Sequence, residues 1–176
     1  MTRAGSRTAR SSGRALPDLV LRPATAADAD LLLEWANEPA VRTASLRRDP
    51  IDRPTHLQWL AERLADPRCR VWIGSAGGKA VGVVRFEGGD DGRATVSVSV
   101  AVASRGRGLG QALLEAGLAR ARSELRPAGF RAHVRVDNAA SLRLFQMAGF
   151  RPDTGGPKAD GILDFLQDIA RSRPRA

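Results

Sequence analysis

The chain has no tyrosine among its 176 residues, one cysteine and two histidines. Without tyrosine, no phenol can donate a proton anywhere in the molecule. The lone Cys69 excludes an internal disulfide, and no Cys/His cluster has the spacing that ligates zinc. No metal is expected. No apolar run approaches the roughly 18 residues that a membrane-spanning helix needs, so no membrane is expected and a reducing cytoplasm is the expected location. Acids are also scarce relative to bases, leaving a formal net charge of +9. Much of that excess lies at the ends. The segment "MTRAGSRTARSSGRALP" carries Arg3, Arg7, Arg10 and Arg14 with no acid and little apolar surface to offset its ordering entropy.

Residues 1–17 therefore read as a disordered basic tail, residues 18–168 as one domain and residues 169–176 as a second basic tail. A basic nucleic-acid-binding protein is the rival class that such tails suggest, although nucleic acid is not the expected partner.

Within the domain, "LVLRP" reads as a strand stopped by Pro23. Thr25 caps a helix that ends before Pro39, and a second helix runs from about Pro54 to Ala65 with Leu57, Leu60 and Leu64 on one face. A polar connection, "AVRTASLRRDPIDR", lies between them. Three strands follow, separated by the turns "SAGGK" and "GGDDG". After "VSVSVAVASRGRGLG" come a helix from Gly110 to about Glu124, a strand "FRAHVRV", a helix ended by Gly149 and a last strand in "GILDFLQDI". The order βααβββαβαβ predicts an α+β domain with a mixed, mostly antiparallel sheet flanked by helices.

The loop Arg105 to Gly110, "RGRGLG", holds three glycines between a strand and a helix. It lacks the third glycine and the later acid of a dinucleotide fingerprint, and the Gly-Lys-Ser/Thr of a P-loop. Two readings stand from the loop alone. It is either a ligand-free strand-to-helix turn or a cradle of backbone N–H groups for an anion, with Arg105 and Arg107 as cations beside it.

In its strand-loop-helix setting, "RGRGLG" resembles the acyl-CoA pyrophosphate loop of the GNAT acetyltransferase superfamily. "VDNAASLRLFQMAGF", Val136 to Phe150, is similar to that family's Asn-x-x-Ser…Gly-Phe segment. The resemblance covers roughly residues 19–166. It implies a sheet splayed between its fourth and fifth strands with acetyl-CoA in the slot. The fourth strand is expected over Thr95 to Val102, with a bulge that turns backbone groups near Val100 and Val102 to the cofactor. Arg105, Gly106, Arg107, Gly108, Leu109 and Gly110 would hold the pyrophosphate, while Asn138 would bond the pantetheine or simply cap its helix. Ser141 and Phe145 line the same side. Many relatives place a tyrosine at Phe145 to protonate the departing sulfur. Here Ser141 or water is the substitute, since a thiol of pKa near ~8.5 leaves tolerably without help.

No glutamate occupies the usual fourth-strand position of the general base, where this chain has Thr95. His56 and Glu87 are the candidates, each with an ordinary alternative as a helix-surface histidine and a turn carboxylate. His133 alternates with Arg131 and Arg135 and reads as a half-exposed strand face. "LLEWANEPAVRTASLRRDPI…HLQWL" further resembles acetyltransferases of pseudaminic acid biosynthesis, through Trp35, Asn37, Arg42, Ser45, His56 and Trp59. Together with Arg85 these residues form the expected acceptor site. That resemblance implies acetylation of a UDP-linked amino-deoxy sugar, with Trp35 or Trp59 stacking on a ring or simply packing in the core. A protein N-terminus, a polyamine or an antibiotic amine is the alternative acceptor, and a CoA-binding regulatory domain the alternative of another class. The expected assembly is a monomer or homodimer.

Overall fold

A computed structural model describes residues 18–169. Both expected tails, residues 1–17 and nearly all of 169–176, lie outside the described residues. Seven strands form one sheet: β1 (Leu19–Pro23), β2 (Cys69–Ala76), β3 (Lys79–Gly88), β4 (Arg93–Val100), β5 (Gly129–Arg135), β6 (Arg151–Pro152) and β7 (Ile162–Asp168). Their order is β1-β2-β3-β4-β5-β7-β6. The helices are α1 (Ala29–Asn37), α2 (Pro39–Ala44), α3 (Arg53–Ala65), α4 (Leu109–Glu124) and α5 (Ala139–Met147).

Two of these elements depart from the sequence reading. The short α2 lies inside the expected polar connection, started by Pro39 and capped by Glu38, whose carboxylate accepts from the Val41 N–H at 3.1 Å. Glutamate is not among the usual capping residues, so the start signal is weak. The two-residue β6 is too short to show a period.

Alternation along the strands divides the apolar residues between two cores. Trp72, Val84, Phe86, Val96 and Phe130 face α4 and α5, where Phe86 stacks against Trp72 and Phe130 with centroids 5.7 and 5.5 Å apart. Cys69, Val71 and Ile73 face the other way, onto Leu32 and Leu60 from α1 and α3. Burying each large apolar side chain contributes roughly 1.5–3 kcal/mol, so the sheet is clamped from both sides. Gly117 lets α4 approach closely, since a Cβ there would lie 2.9 Å from Val84.

The β4-to-β5 connection is parallel and crosses through α4. All other strand pairs are antiparallel. Pairing between β4 and β5 stops at Thr95↔Arg131, although β4 runs on to Val100 and β5 to Arg135. The two strands therefore part, and the sheet splays where expected. Two details of the expected fourth strand are corrected. β4 ends at Val100, with Val102 beginning a 3-10 turn, and its register with β3 has no shift. The irregularity in this part of the sheet falls between β2 and β3, where Val81 has no partner between the pairs Gly74↔Gly82 and Ser75↔Ala80.

Candidate active site

A cavity of about 1160 Å³ occupies the splay and the space between the sheet and α1–α3. Its cofactor side is built from backbone. The N–H of Ala101 bonds the Val81 carbonyl at 2.9 Å, and successive residues of a strand turn their polar groups to opposite sides. Val96, Val98 and Val100 thus direct theirs to the unpaired edge facing β5. Next, Gly106 and Gly108 take φ of +72° and +75°. Gly108 begins α4 in the left-handed region, and no side chain caps the helix. A Cβ on Gly106 would meet nothing within 4 Å, so the loop backbone faces open space. Uncapped N–H groups, the helix dipole and an unobstructed approach fit a pyrophosphate. These features suit an acyl-CoA.

Not every loop residue is free for that role. Arg105 gives Nε to the Val100 carbonyl at 3.1 Å and a terminal nitrogen to Glu38 at 3.0 Å. Its guanidinium ties the loop to the α1–α2 junction, so its expected place on phosphate yields to a structural one. Arg107 is exposed, and Leu109 is buried at the start of α4. Val102 is 53% exposed and borders a second, smaller pocket beside Glu38 and Val41 rather than the main cavity. Gly110 lies 3.5 Å, measured from an ideal Cβ, from Val100 and near Leu144, closing the floor.

Across the splay, the Asn138 side chain accepts from the Ser141 N–H at 3.1 Å, capping α5. Asn138, Ser141 and Phe145 all border the cavity. Phe145 also packs edge-on to Phe150 with centroids 5.1 Å apart, so the residue standing where relatives carry tyrosine is anchored in the core.

The acceptor side is built from side chains, many of them already committed. Asn37 donates to the Ile51 carbonyl at 2.7 Å and accepts from the Ile51 N–H at 2.8 Å. Arg42 reaches the carbonyls of Arg47 and Asp49 at 3.4 and 3.3 Å and the Ser45 hydroxyl at 3.2 Å. Ser45 in turn donates to the Val41 carbonyl at 2.6 Å. Burial pushes the Arg42 pKa down. These three expected substrate contacts therefore hold the α2–α3 loop in shape, and Asn37 does not border the main cavity.

Arg85, on β3, bonds Glu87 at 2.6 Å and lies 5.1 Å over the Trp59 ring. Burial lowers its pKa, against the opposing Glu87 charge. One face of Trp59 is thus covered by a guanidinium, and Trp35 and Trp59 both pack on the second core. Glu87 is held by Arg85 and by Arg63 at 3.4 Å, outside the cavity lining. Paired with two cations, it is corrected from candidate base to structural carboxylate. His56 is 3% exposed, stacks near Trp59 at 5.4 Å and borders the cavity with Nε2 unpartnered. Burial lowers its pKa, partly countered by a bond to the Ala29 backbone.

The sequence reading did not find a contact between β5 and β7. His133 Nδ1 lies 2.7 Å from Asp164 Oδ1, and His133 also borders the cavity. Its alternation with Arg131 and Arg135 assigned the face correctly. The carboxylate is 31 residues away, and no local pattern announces it.

A family model described as Acetyltransferase (GNAT) domain matches residues 18–151. This chain belongs to the GNAT acetyltransferase family. It is an acetyl-CoA-dependent N-acetyltransferase of GNAT type. Among solved structures it is similar to the ribosomal-protein-alanine N-acetyltransferase of Brucella melitensis, at 25% identity and TM-score 0.72, covering 85% of this chain and 99% of that one. It is also similar to yncA of Salmonella typhimurium with its cofactor acetyl-CoA, at 26% identity and TM-score 0.69, covering 90% and 99%. The spermidine N-acetyltransferase of Vibrio cholerae shares the fold at 17% identity and TM-score 0.74, covering 86% and 94%. The comparison with curated proteins finds no match. Among the described residues of this GNAT chain, no three potential metal ligands come together and no helix is long and apolar enough to cross a membrane.

Proposed function

We propose that this GNAT enzyme acetylates a primary amine carried on a neutral or anionic acceptor, with the amino group of a UDP-linked amino-deoxy sugar as first choice. The observation that carries this reading is the charge of the cavity wall. Arg42, Arg47, Arg85, Arg105 and Arg135 border the cavity against Asp49 and Asp52. Arg85, Arg105 and Arg135 are paired with Glu87, Glu38 and Asp137, so the cations without a carboxylate partner among the described residues are Arg42 on α2 and Arg47 on the loop after it. Asp52 keeps its charge but is turned to the start of α3 as its cap, accepting from the Thr55 N–H at 2.9 Å. A polycationic polyamine or aminoglycoside would meet like charge on such a wall, whereas a diphosphate would meet cations.

Acetyl-CoA supplies the activated acetyl group. The loop backbone from Gly106 to Gly110 would hold its pyrophosphate, and the open β4 edge at Val98 and Val100 would hold its arm and present N–H groups to the thioester oxygen. Ser141, which borders the cavity, is the proton donor near the departing sulfur, because Phe145 has none to give. The buried thiol of Cys69, pushed up to about 11 chiefly by burial, is no competing nucleophile.

A second acceptor has one observation in its favour. The Brucella neighbour acts on a ribosomal-protein alanine, and a neutral peptide terminus also suits this wall. Thiol release from acetyl-CoA separates the two, using a UDP-4-amino sugar, a peptide beginning with alanine, spermidine and an aminoglycoside. Turnover on the nucleotide sugar is the expected result. Preference for spermidine would defeat the charge argument, and no turnover with any amine would defeat the reading itself.

A further inference from the structure

The two histidines of the chain both border the main cavity, His56 from α3 and His133 from β5. An amine acceptor arrives largely as an ammonium ion and must lose a proton before it can attack. Whichever group takes that proton becomes a cation, so its surroundings must accept positive charge. His56 is poorly placed for this, because it is 3% exposed and makes no hydrogen bond to a carboxylate. His133 is 30% exposed at its side chain and touches Asp164, which is itself largely covered.

The contact fixes the tautomer. Burial alone would raise the Asp164 pKa, but bonds from His133 and from Lys158 Nζ, 3.1 Å away, outweigh it and hold the carboxyl below its ordinary value. An ionised carboxylate only accepts, so the hydrogen lies on His133 Nδ1 and the lone pair on Nε2. The other charges around the imidazole are mostly paired. Along β5, Arg131 is held by Asp91 at 2.7 Å and Arg135 by Asp137 at 2.8 Å. On β3, Arg85 is held by Glu87, and the same cavity is bordered by Asp52, which caps α3, and by His56 within that helix.

We propose that His133, oriented by Asp164, is the proton acceptor that readies the amine for attack. The proposal rests on the acetyl-transfer reading above. Nε2 takes one proton from the ammonium, directly or through one water. The freed nitrogen pair forms the C–N bond while the C–S bond breaks and its electron pair leaves with sulfur. Sulfur takes a proton from the Ser141 hydroxyl, which regains the second amine proton, so that amide and thiol result, and the imidazolium returns its proton to water. Asp164 is a positioning residue, holding the ring and stabilising the imidazolium.

The test combines kinetics with a readout independent of turnover. His133→Gln keeps a donor for Asp164 and should lower kcat by ~10²-fold or more, abolish the acidic limb of the kcat–pH profile and leave acetyl-CoA affinity within about twofold. Asp164→Asn should move that limb to lower pH, and Asp164→Glu should partly restore it. His56→Gln should retain the limb. In the wild-type protein, imidazole nitrogen NMR resolves just two rings, and His133 should be protonated on Nδ1 at neutral pH. A folded His133→Gln variant with kcat within threefold of wild type and an unchanged limb would overturn the proposal. So would an Nε2-protonated His133 in an active wild-type enzyme, which decides the matter even if that variant does not fold. Absence of turnover with every amine would instead remove the acetyl-transfer reading, and this proposal with it.

Discussion

The two sides of the cavity are made by different means. On the cofactor side the ligand-facing groups are mostly backbone: the free edge of β4, two glycines with positive φ and the uncapped start of α4. On the acceptor side they are side chains on helices, a loop and β3, and four of the seven expected ones, Asn37, Arg42, Ser45 and Arg85, are already bonded within the protein. Backbone chemistry is the same in every chain of this shape, so the residues needed for it are few and fixed by conformation. An acceptor wall can be rebuilt residue by residue while its loop is still held by the same buried bonds. Shared residues in that loop therefore report a shared loop before they report a shared substrate.

The strongest way to break the contrast is Gly108→Val. A β-branched residue forced to φ +75° costs about 1–3 kcal/mol, or else shifts the loop and the first turn of α4. Acetyl-CoA affinity by titration calorimetry should fall about tenfold or more, while the fold seen by circular dichroism remains. Unchanged affinity would remove the loop from the cofactor site.

Asn37→Ala attacks the other side. It removes both bonds to Ile51, worth about 1–3 kcal/mol of loop order. The expected outcome is a rise of roughly tenfold in the amine KM with acetyl-CoA affinity within twofold of wild type. Equal loss on both sides would show that the two walls are one cooperative unit.

This asymmetry also explains what could be read from the sequence. The splay was expected only through the family resemblance, whereas the strand-loop-helix around "RGRGLG" was legible because glycines at forced φ and alternating valines are local signals. The cap role of Asn138 was legible for the same reason. The roles of Asn37, Arg42 and Ser45 were not, since the same residue types serve equally as ligands or as loop ties, and the Asn37 bond closes across 14 residues. Glu87 looked like a turn carboxylate or a base until Arg63, on another element, was found against it. The His133–Asp164 contact needs the β5–β7 register, which no short window contains.

A smaller effect is expected at the base of the acceptor wall. Asp28 is buried at the start of α1 and accepts two bonds from Arg22, at 2.6 and 2.8 Å, and one from the Thr25 N–H at 2.8 Å. The Arg22 bond leads in holding its carboxyl at about 2. Because the folded pKa is depressed, the stabilisation is fully present above the unfolded value of ~3.9 and is lost as pH falls through about 2. Arg22 is half exposed, so solvent discounts the pair, and Asp28→Asn should cost ~1–2 kcal/mol near neutral pH. In denaturant melts the gap between variant and wild type should narrow from about pH 4 downward. A gap independent of pH would mean that Asp28 contributes by packing rather than by charge.

The smallest effect should come from a contact between the α2–α3 loop and the far lip of the cavity, the Arg48–Asp137 pair at 3.2 Å. Both side chains are 54% exposed, and Asp137 keeps a shorter partner in Arg135 when Arg48 is removed. Exposed pairs of this kind contribute about 0–1 kcal/mol and weaken further in salt. Arg48→Ala should therefore change stability by less than ~0.5 kcal/mol and the amine KM by less than threefold, and raising the salt concentration should erase even that difference. If KM instead rose as far as in Asn37→Ala, the loop would owe its position to the far lip rather than to its own buried bonds. The acceptor wall would then be assembled across the cavity, by the side that binds the cofactor.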